Sequence, residues 1–185
     1  HRYRGTLSAA PNFAYELCLK RIDAREIAAL DLSSWRCAFN GAEAVNPDTL
    51  ERFCERFAPA GFRRESLMPV YGLAENSVGL AFPPLGRGPV VDRIERETFM
   101  RSGNAVPAAA DDAPHMTRAG IRPRAALRFP ACGHPLVGHQ IRVVGDGAQG
   151  VAVREPGDLS SCACPFDSPI RGRVSGAMDA GRRRS

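Results

Sequence analysis

The chain has 185 residues, 44% of them hydrophobic and 24% charged, which is enough for one globular domain with a real core. Its net charge is +5, but residues 171–185 hold five arginines against one aspartate, so the remainder is close to neutral. No aromatic residue interleaves with those arginines to stack a base, which argues against a nucleic-acid-binding arm, and no apolar run reaches the roughly 20 residues of a membrane span.

Residues 1–5, His-Arg-Tyr-Arg-Gly, offer neither an initiator Met nor an apolar signal core, and the expectation is the middle of a longer chain. The six cysteines, Cys18, Cys37, Cys54, Cys132, Cys162 and Cys164, point to free thiols in a reducing compartment, the cytoplasm. Cys18, Cys37 and Cys54 fall inside apolar patterns and read as small core residues.

Pro11 opens a predicted helix over 11–22, with Phe13, Leu17 and Ile22 on an apolar face. A short helix over 24–30 follows. Residues 35–39 read as a buried strand ended by the Asn40-Gly41 turn. Asn46-Pro47-Asp48 is a helix start: Asn46 can cap, Pro47 suits the first helical position, and Asp48 favours the positive end of the dipole. Leu50, Phe53, Cys54 and Phe57 recur at helical spacing until Pro59 and Gly61 end the helix. Residues 67–70 read as the next strand, giving a βαβ unit.

Further strands are predicted over 77–82 and 90–94, and a short helix over 95–100. Residues 102–126, rich in Ala, Pro, Gly and Asp, read as a mobile insertion. Order resumes over 127–132, a strand is predicted over 140–144, and Asp146-Gly147 marks a hairpin turn. After about residue 156 no helical or strand period remains.

Ligands in open α/β sheets gather at the carboxyl ends of strands. Two turns occupy such positions: Asn40-Gly41-Ala42-Glu43 and Tyr71-Gly72-Leu73-Ala74-Glu75. In the second, a ring can stack on a base, Gly72 lets the backbone come close, and Glu75 can hold a cation near phosphates. A zinc site drawn from Cys132, His134, His139, Cys162 and Cys164 meets the usual ligand spacing only at the two histidines and is not favoured.

Four segments, in order, resemble the fatty acyl-AMP ligases, a branch of the adenylate-forming superfamily that includes acyl-CoA synthetases. Ser8-Ala9-Ala10-Pro11-Asn12-Phe13-Ala14-Tyr15-Glu16-Leu17-Cys18 is similar to the segment before the acyl pocket. Trp35-Arg36-Cys37-Ala38-Phe39-Asn40-Gly41-Ala42-Glu43 is similar to the strand and adenine-lining turn. Tyr71-Gly72-Leu73-Ala74-Glu75 resembles the adenine and metal motif, and Cys132-Gly133-His134-Pro135-Leu136-Val137-Gly138 the later turn that opens a β-subdomain. The resemblance covers about residues 2–153. It implies an α/β fold from the large N-terminal domain: an α/β part over 1–101, the insertion over 102–126, the start of a β-subdomain over 127–155 and an Arg-rich tail over 156–185.

The resemblance also implies chemistry. A fatty acid carboxylate attacks the α-phosphate of ATP, releases pyrophosphate, and the acyl-AMP passes to the phosphopantetheine thiol of an acyl carrier protein or of a polyketide or nonribosomal synthase carrier domain. Asn40, Gly41, Ala42, Glu43, Tyr71, Gly72, Leu73 and Ala74 would line the adenine, Glu75 would hold Mg²⁺, and Phe13 and Tyr15 would border the acyl channel. Ala74 stands where many superfamily members carry a hydroxyl residue, and alanine there is common in the acyl-AMP ligase branch. A long-chain acyl-CoA synthetase is the alternative within the class, and a non-catalytic nucleotide-binding or interaction module the alternative outside it.

The family's phosphate loop, its ribose aspartate and its catalytic lysine find no counterpart here. Nearest to the ribose motif is Gly176-Ala177-Met178-Asp179-Ala180-Gly181-Arg182, with Ala177 for an aromatic residue and Arg182 for the aspartate. The expectation is a central fragment, disrupted after about residue 153, that retains one wall of the site and does not turn over alone.

Overall fold

The computed structural model describes residues 2–74, 78–108, 116, 117, 120, 121, 126–139 and 141. Three parallel strands, β1 (Leu7–Ala10), β2 (Cys37–Asn40) and β3 (Leu67–Pro69), form one sheet in the order β1-β2-β3. The register pairs Ala10 with Asn40 and Asn40 with Pro69, so the strand ends are level. Helices α1 (Asn12–Arg21) and α3 (Pro47–Phe57) pack against each other beside this sheet, and α2 (Ala24–Ala28) follows α1. The predicted βαβ unit is therefore β2-α3-β3.

The local chemistry explains these elements. The Asn46 side chain accepts the Asp48 N–H at 2.9 Å, with Pro47 opening the helix. Leu50, Phe53, Cys54 and Phe57 of α3 are buried on one face, as their spacing requires. Asp23 and Glu26 form a reciprocal capping box at α2. Phe53 is the hub of the core: it stacks on Phe57 at 4.4 Å and meets Tyr15, Trp35 and Phe62 edge-on at 5.0, 6.3 and 5.2 Å.

Among the described residues after 78, the strands form two-stranded antiparallel ladders. β4 (Ala81–Phe82) pairs with β9 (His134–Pro135), β5 (Val91–Glu95) with β8 (Ala126–Pro130), and β6 (Met116–Thr117) with β7 (Gly120–Ile121); α4 (Arg96–Ser102) follows β5. Arg128 of β8 ties this half to α3 through Asp48 Oδ1 at 2.5 Å and Glu51 Oε1.

Several expectations need correction. The strand predicted over 77–82 shrinks to Ala81–Phe82, because Val78 adopts φ 72° and the Leu80 and Ala81 N–H groups both turn to the Tyr71 carbonyl. The strand predicted over 35–39 begins at Cys37, since the Trp35 N–H closes a turn onto Leu32 O. β1 was not foreseen; Leu-Ser-Ala-Ala carries no strand-like alternation, and its pairing with β2 makes it. The 134–135 pair, expected as a turn, joins β4. At the start of the predicted insertion, the Glu95 N–H bonds Val106 O and the Ala108 N–H bonds Arg93 O, so residues 106–108 flank β5 opposite β8. The strand over 140–144 apart from Ile141, the turn at 146–147 and the tail over 156–185 lie outside the described residues.

Candidate functional site

Two chain reversals meet at the carboxyl end of the parallel sheet. β2 ends at Asn40 and β3 at Pro69, and the residues after each are locked together: the Val70 N–H donates to Asn40 O at 2.8 Å. Gly41 lies so close to Val70 that a Cβ there would stand 2.8 Å from both Val70 O and Val70 Cγ2. Only glycine permits that approach. Ala42 then takes a left-handed conformation, φ 65°, which costs a residue with a Cβ about 1 kcal/mol or more.

The second reversal is fixed by its own ladder. The Tyr71 N–H donates to Ala81 O at 3.1 Å, and Tyr71 O accepts from Ala81 and Leu80. Val78 returns its N–H to Leu73 O at 3.1 Å. Gly72 is needed here for a reason other than ligand approach: a Cβ would sit 1.5 Å from Val78 O. Beneath both turns Phe39 meets Phe82 edge-on at 5.4 Å.

Of the predicted adenine-lining residues, Asn40 and Gly41 are buried, Tyr71, Gly72 and Leu73 half-buried, and Ala42, Glu43 and Ala74 exposed. All eight lie on the two adjoining turns. Glu43 reaches back to α1, where its Oε1 accepts the Phe13 N–H at 2.6 Å. It serves as the cap that Pro11, lacking a side-chain acceptor, does not provide. Glu75, expected to hold Mg²⁺, lies outside the described residues.

Phe13 and Tyr15 part company. Phe13 is 62% exposed, while Tyr15 is 3% exposed and donates its hydroxyl to Phe39 O at 2.8 Å. Burial, then the neighbouring Cys18, pushes the Tyr15 phenol above its ordinary range. Tyr15 thus serves the core directly under β2.

One feature of the site was missed from sequence: a buried polar cluster below the first turn, made by Asn12, Asn40 and Thr49 with Glu16. Its sequence signal is slight, an Asn in the first turn of a helix behind Pro11 and a Thr in the first turn of α3.

Comparison with known proteins places these turns in context. The chain is 40% identical over 144 residues to the medium-chain-fatty-acid–[acyl-carrier-protein] ligase JamA of Moorena producens, covering 77% of this chain and 22% of that protein. It is 47% identical over 88 residues to 4-hydroxyphenylalkanoate adenylyltransferase of Mycobacterium marinum, covering 48% of this chain and 14% of that protein. Among solved structures, a fatty acyl-adenylate ligase from a study of the E. coli and L. pneumophila enzymes superposes with a TM-score of 0.73 at 36% identity, over 83% of this chain and 26% of that one. The chain thus spans between 14% and 26% of the length of these relatives. No protein-family model matches it.

Proposed function

We propose a function from one premise: the chain belongs to the adenylate-forming superfamily, as a segment of the large α/β domain like that of the fatty acyl-AMP ligases. In this reading the two turns form the adenine wall of a site that converts a fatty acid and ATP to acyl-AMP and pyrophosphate. The acyl group then goes to the phosphopantetheine thiol of an acyl carrier protein or synthase carrier domain. The observation that carries the reading is the junction at the strand ends, where Asn40 and Gly41 touch Val70 and so set the first turn beside Tyr71. Such a crevice at the carboxyl ends of parallel strands is where open α/β sheets take nucleotides.

Tyr71 is assigned to stack on the base, and the 41–43 backbone to face its other side. Glu75 is assigned to Mg²⁺, since one carboxylate plus substrate phosphates is the donor set that ion favours. The ion would offset charge developing on the α-phosphate. Phe13, exposed beside the first turn, is assigned to the acyl channel. The buried Tyr15 supports that assignment only by holding Phe39 O.

The 185 residues include one lysine, Lys20, exposed in the last turn of α1 and so poorly placed to act on a phosphate at the strand ends. We accordingly expect binding without turnover by this chain alone. Pyrophosphate exchange into ATP by the pure 185-residue chain would overturn that expectation.

The direct test is calorimetric titration with AMP. Saturable binding by the chain is expected, weakened roughly tenfold or more by Tyr71→Ala through loss of stacking. Equal affinity of the variant would remove Tyr71 from the site, and no saturable binding would remove the nucleotide. No helix among the described residues is long and apolar enough to cross a membrane. Thiols at Cys18, Cys37 and Cys54 support a cytoplasmic setting, and a disulfide between any two of them in the native protein would count against it.

A further inference from the structure

The first turn is pinned at both ends and nearly free between them. The Gly41 N–H donates to Ala10 O at 3.3 Å, and the Asn46 N–H to Asn12 Oδ1 at 3.2 Å. Residues 42–45 cross from one pin to the other. No backbone–backbone hydrogen bond among the described residues uses an N–H or C=O of this crossing. Val45 packs against the core, which leaves Ala42, Glu43 and Ala44 exposed. What ties them down is a side chain: Glu43 Oε1 accepts the Phe13 N–H at 2.6 Å.

That bond does more than finish α1. Ala42 stands next to Glu43 with φ 65°, a conformation unfavourable for any residue with a Cβ. Strain of this kind persists only where the surroundings over-determine the backbone. Gly41 supplies one constraint, since it is buried and no Cβ fits between it and Val70. Alone it leaves Ala42 free to relax, because no backbone–backbone hydrogen bond holds residues 42–45. Glu43 supplies the second. Its side chain reaches 30 residues back along the chain, to a helix that Tyr15 and Leu19 anchor in the core.

We propose that Glu43 is a positioning residue: its bond to Phe13 holds Ala42 left-handed and thereby orients the exposed backbone of 42 and 43 for the nucleotide. The proposal rests on the adenylate reading above and deepens it, since that reading assigns this backbone to one side of the base. Glu43 acts through Ala42 and needs no contact with the base. What the role requires is reach and an acceptor oxygen; it does not require charge.

Substitution separates reach from charge, with AMP affinity of the 185-residue chain as the readout. Glu43→Gln keeps the length and an acceptor oxygen and should bind AMP within about twofold of wild type. Glu43→Asp keeps the charge but falls one methylene short of Phe13. It should bind about fivefold more weakly, as should Glu43→Ala, the scale of one left-handed alanine released. The decisive variant is a pair. Glycine takes a positive φ readily, so Ala42→Gly added to Glu43→Ala should restore affinity to within about twofold of wild type. A carboxylate that touched the base directly would rank Asp above Gln and gain nothing from the glycine, and either result overturns the proposal. A Glu43 that only caps α1 would lower the urea midpoint of Glu43→Ala and leave its AMP affinity at the wild-type value, which overturns it too. The ligand-free chain gives an independent reading. The Ala42 Cα and Cβ chemical shifts should carry the left-handed pattern in wild type and Glu43→Gln and lose it in Glu43→Ala. Unchanged shifts in Glu43→Ala overturn the proposal whatever AMP does. If wild type binds no AMP, the adenylate reading falls and takes the ligand consequence with it, and the shifts still decide whether Glu43 sets the turn.

Discussion

Residues 7–70 and the described residues between 78 and 139 are held together in different ways. In the first stretch every member of the main core lies between Tyr15 and Leu67, and helices and strands share one aromatic hub at Phe53. In the second, order comes from ladders that join distant segments, Val91 to Pro130 and Ala81 to Pro135, with small apolar contacts such as Phe99 on Phe129. A shared core makes its elements cooperative, whereas separate ladders can open one at a time. The candidate site straddles the two, since Asn40 and Gly41 belong to the first and Tyr71 is bonded into the second through Ala81.

The strongest way to break this contrast is at the hub. Phe53→Ala removes four ring contacts from a 2% exposed position. It should cost about 3–5 kcal/mol and lower the urea midpoint of the helical signal accordingly. A loss under about 1 kcal/mol would mean that this core collapses around the gap and is less rigid than its ring geometry implies.

The seam should respond next. Gly72→Ala drives a Cβ into Val78 O, and the Tyr71–Ala81 ladder must shift to admit it. The expected cost is about 1–3 kcal/mol. Gly41→Ala, with its nearest atoms at 2.8 Å, should cost less. Amide exchange tells the halves apart: for Gly72→Ala, protection should fall at Tyr71 and Ala81 and persist on α3. Uniform loss of protection would show that the two stretches unfold as one unit.

A smaller effect comes from pH, and two buried groups of the first stretch contribute to it. Burial pushes the Cys54 thiol up to about 11, and burial also raises the Tyr15 phenol. For groups whose folded pKa exceeds the unfolded value, the native state holds its proton longer. The stability they contribute is complete below about pH 9, the ordinary thiol value, and is lost as pH climbs through 11. The urea midpoint should thus decline across that window, and Cys54→Ala should flatten part of the decline. A midpoint constant to pH 11 would mean that the thiol is open to water.

Legibility follows the same division. α3 was readable because its cap, its proline and its apolar stripe all lie within a dozen residues and agree. The strand ends were readable because Asn40-Gly41 and Pro69 to Gly72 combine a turn signal with an apolar run. β1 was not, since Leu-Ser-Ala-Ala becomes a strand only by pairing with Cys37–Asn40. The β4–β9 and β5–β8 ladders were not, because no local pattern announces a partner so far along the chain. At the site, three residues have duties in the fold that the sequence did not show. Gly72 makes room for Val78, Glu43 caps α1, and Tyr15 supports Phe39 from the core. Each duty depends on a neighbour that only the fold supplies.

The least costly change tests the tie between the two stretches. Arg128 of β8 bonds Asp48 and Glu51 in the first turns of α3, so a strand of the ladder region is fastened to the helix that carries the hub. Both carboxylates are well exposed, at 39% and 43%, so water competes for them. Arg128→Met keeps most of the buried stem and should cost no more than about 1 kcal/mol, with less difference from wild type at high salt. The fork on two carboxylates offers one reason for a larger value, and a double-mutant cycle with Glu51→Gln measures it directly. The informative readout is cooperativity. If Arg128 is what couples the stretches, the variant should unfold in two steps, with the β5–β8 amides exchanging before those of α3. A single transition with unchanged slope would locate the coupling elsewhere, in the Tyr71–Ala81 ladder that the Gly72 variant perturbs.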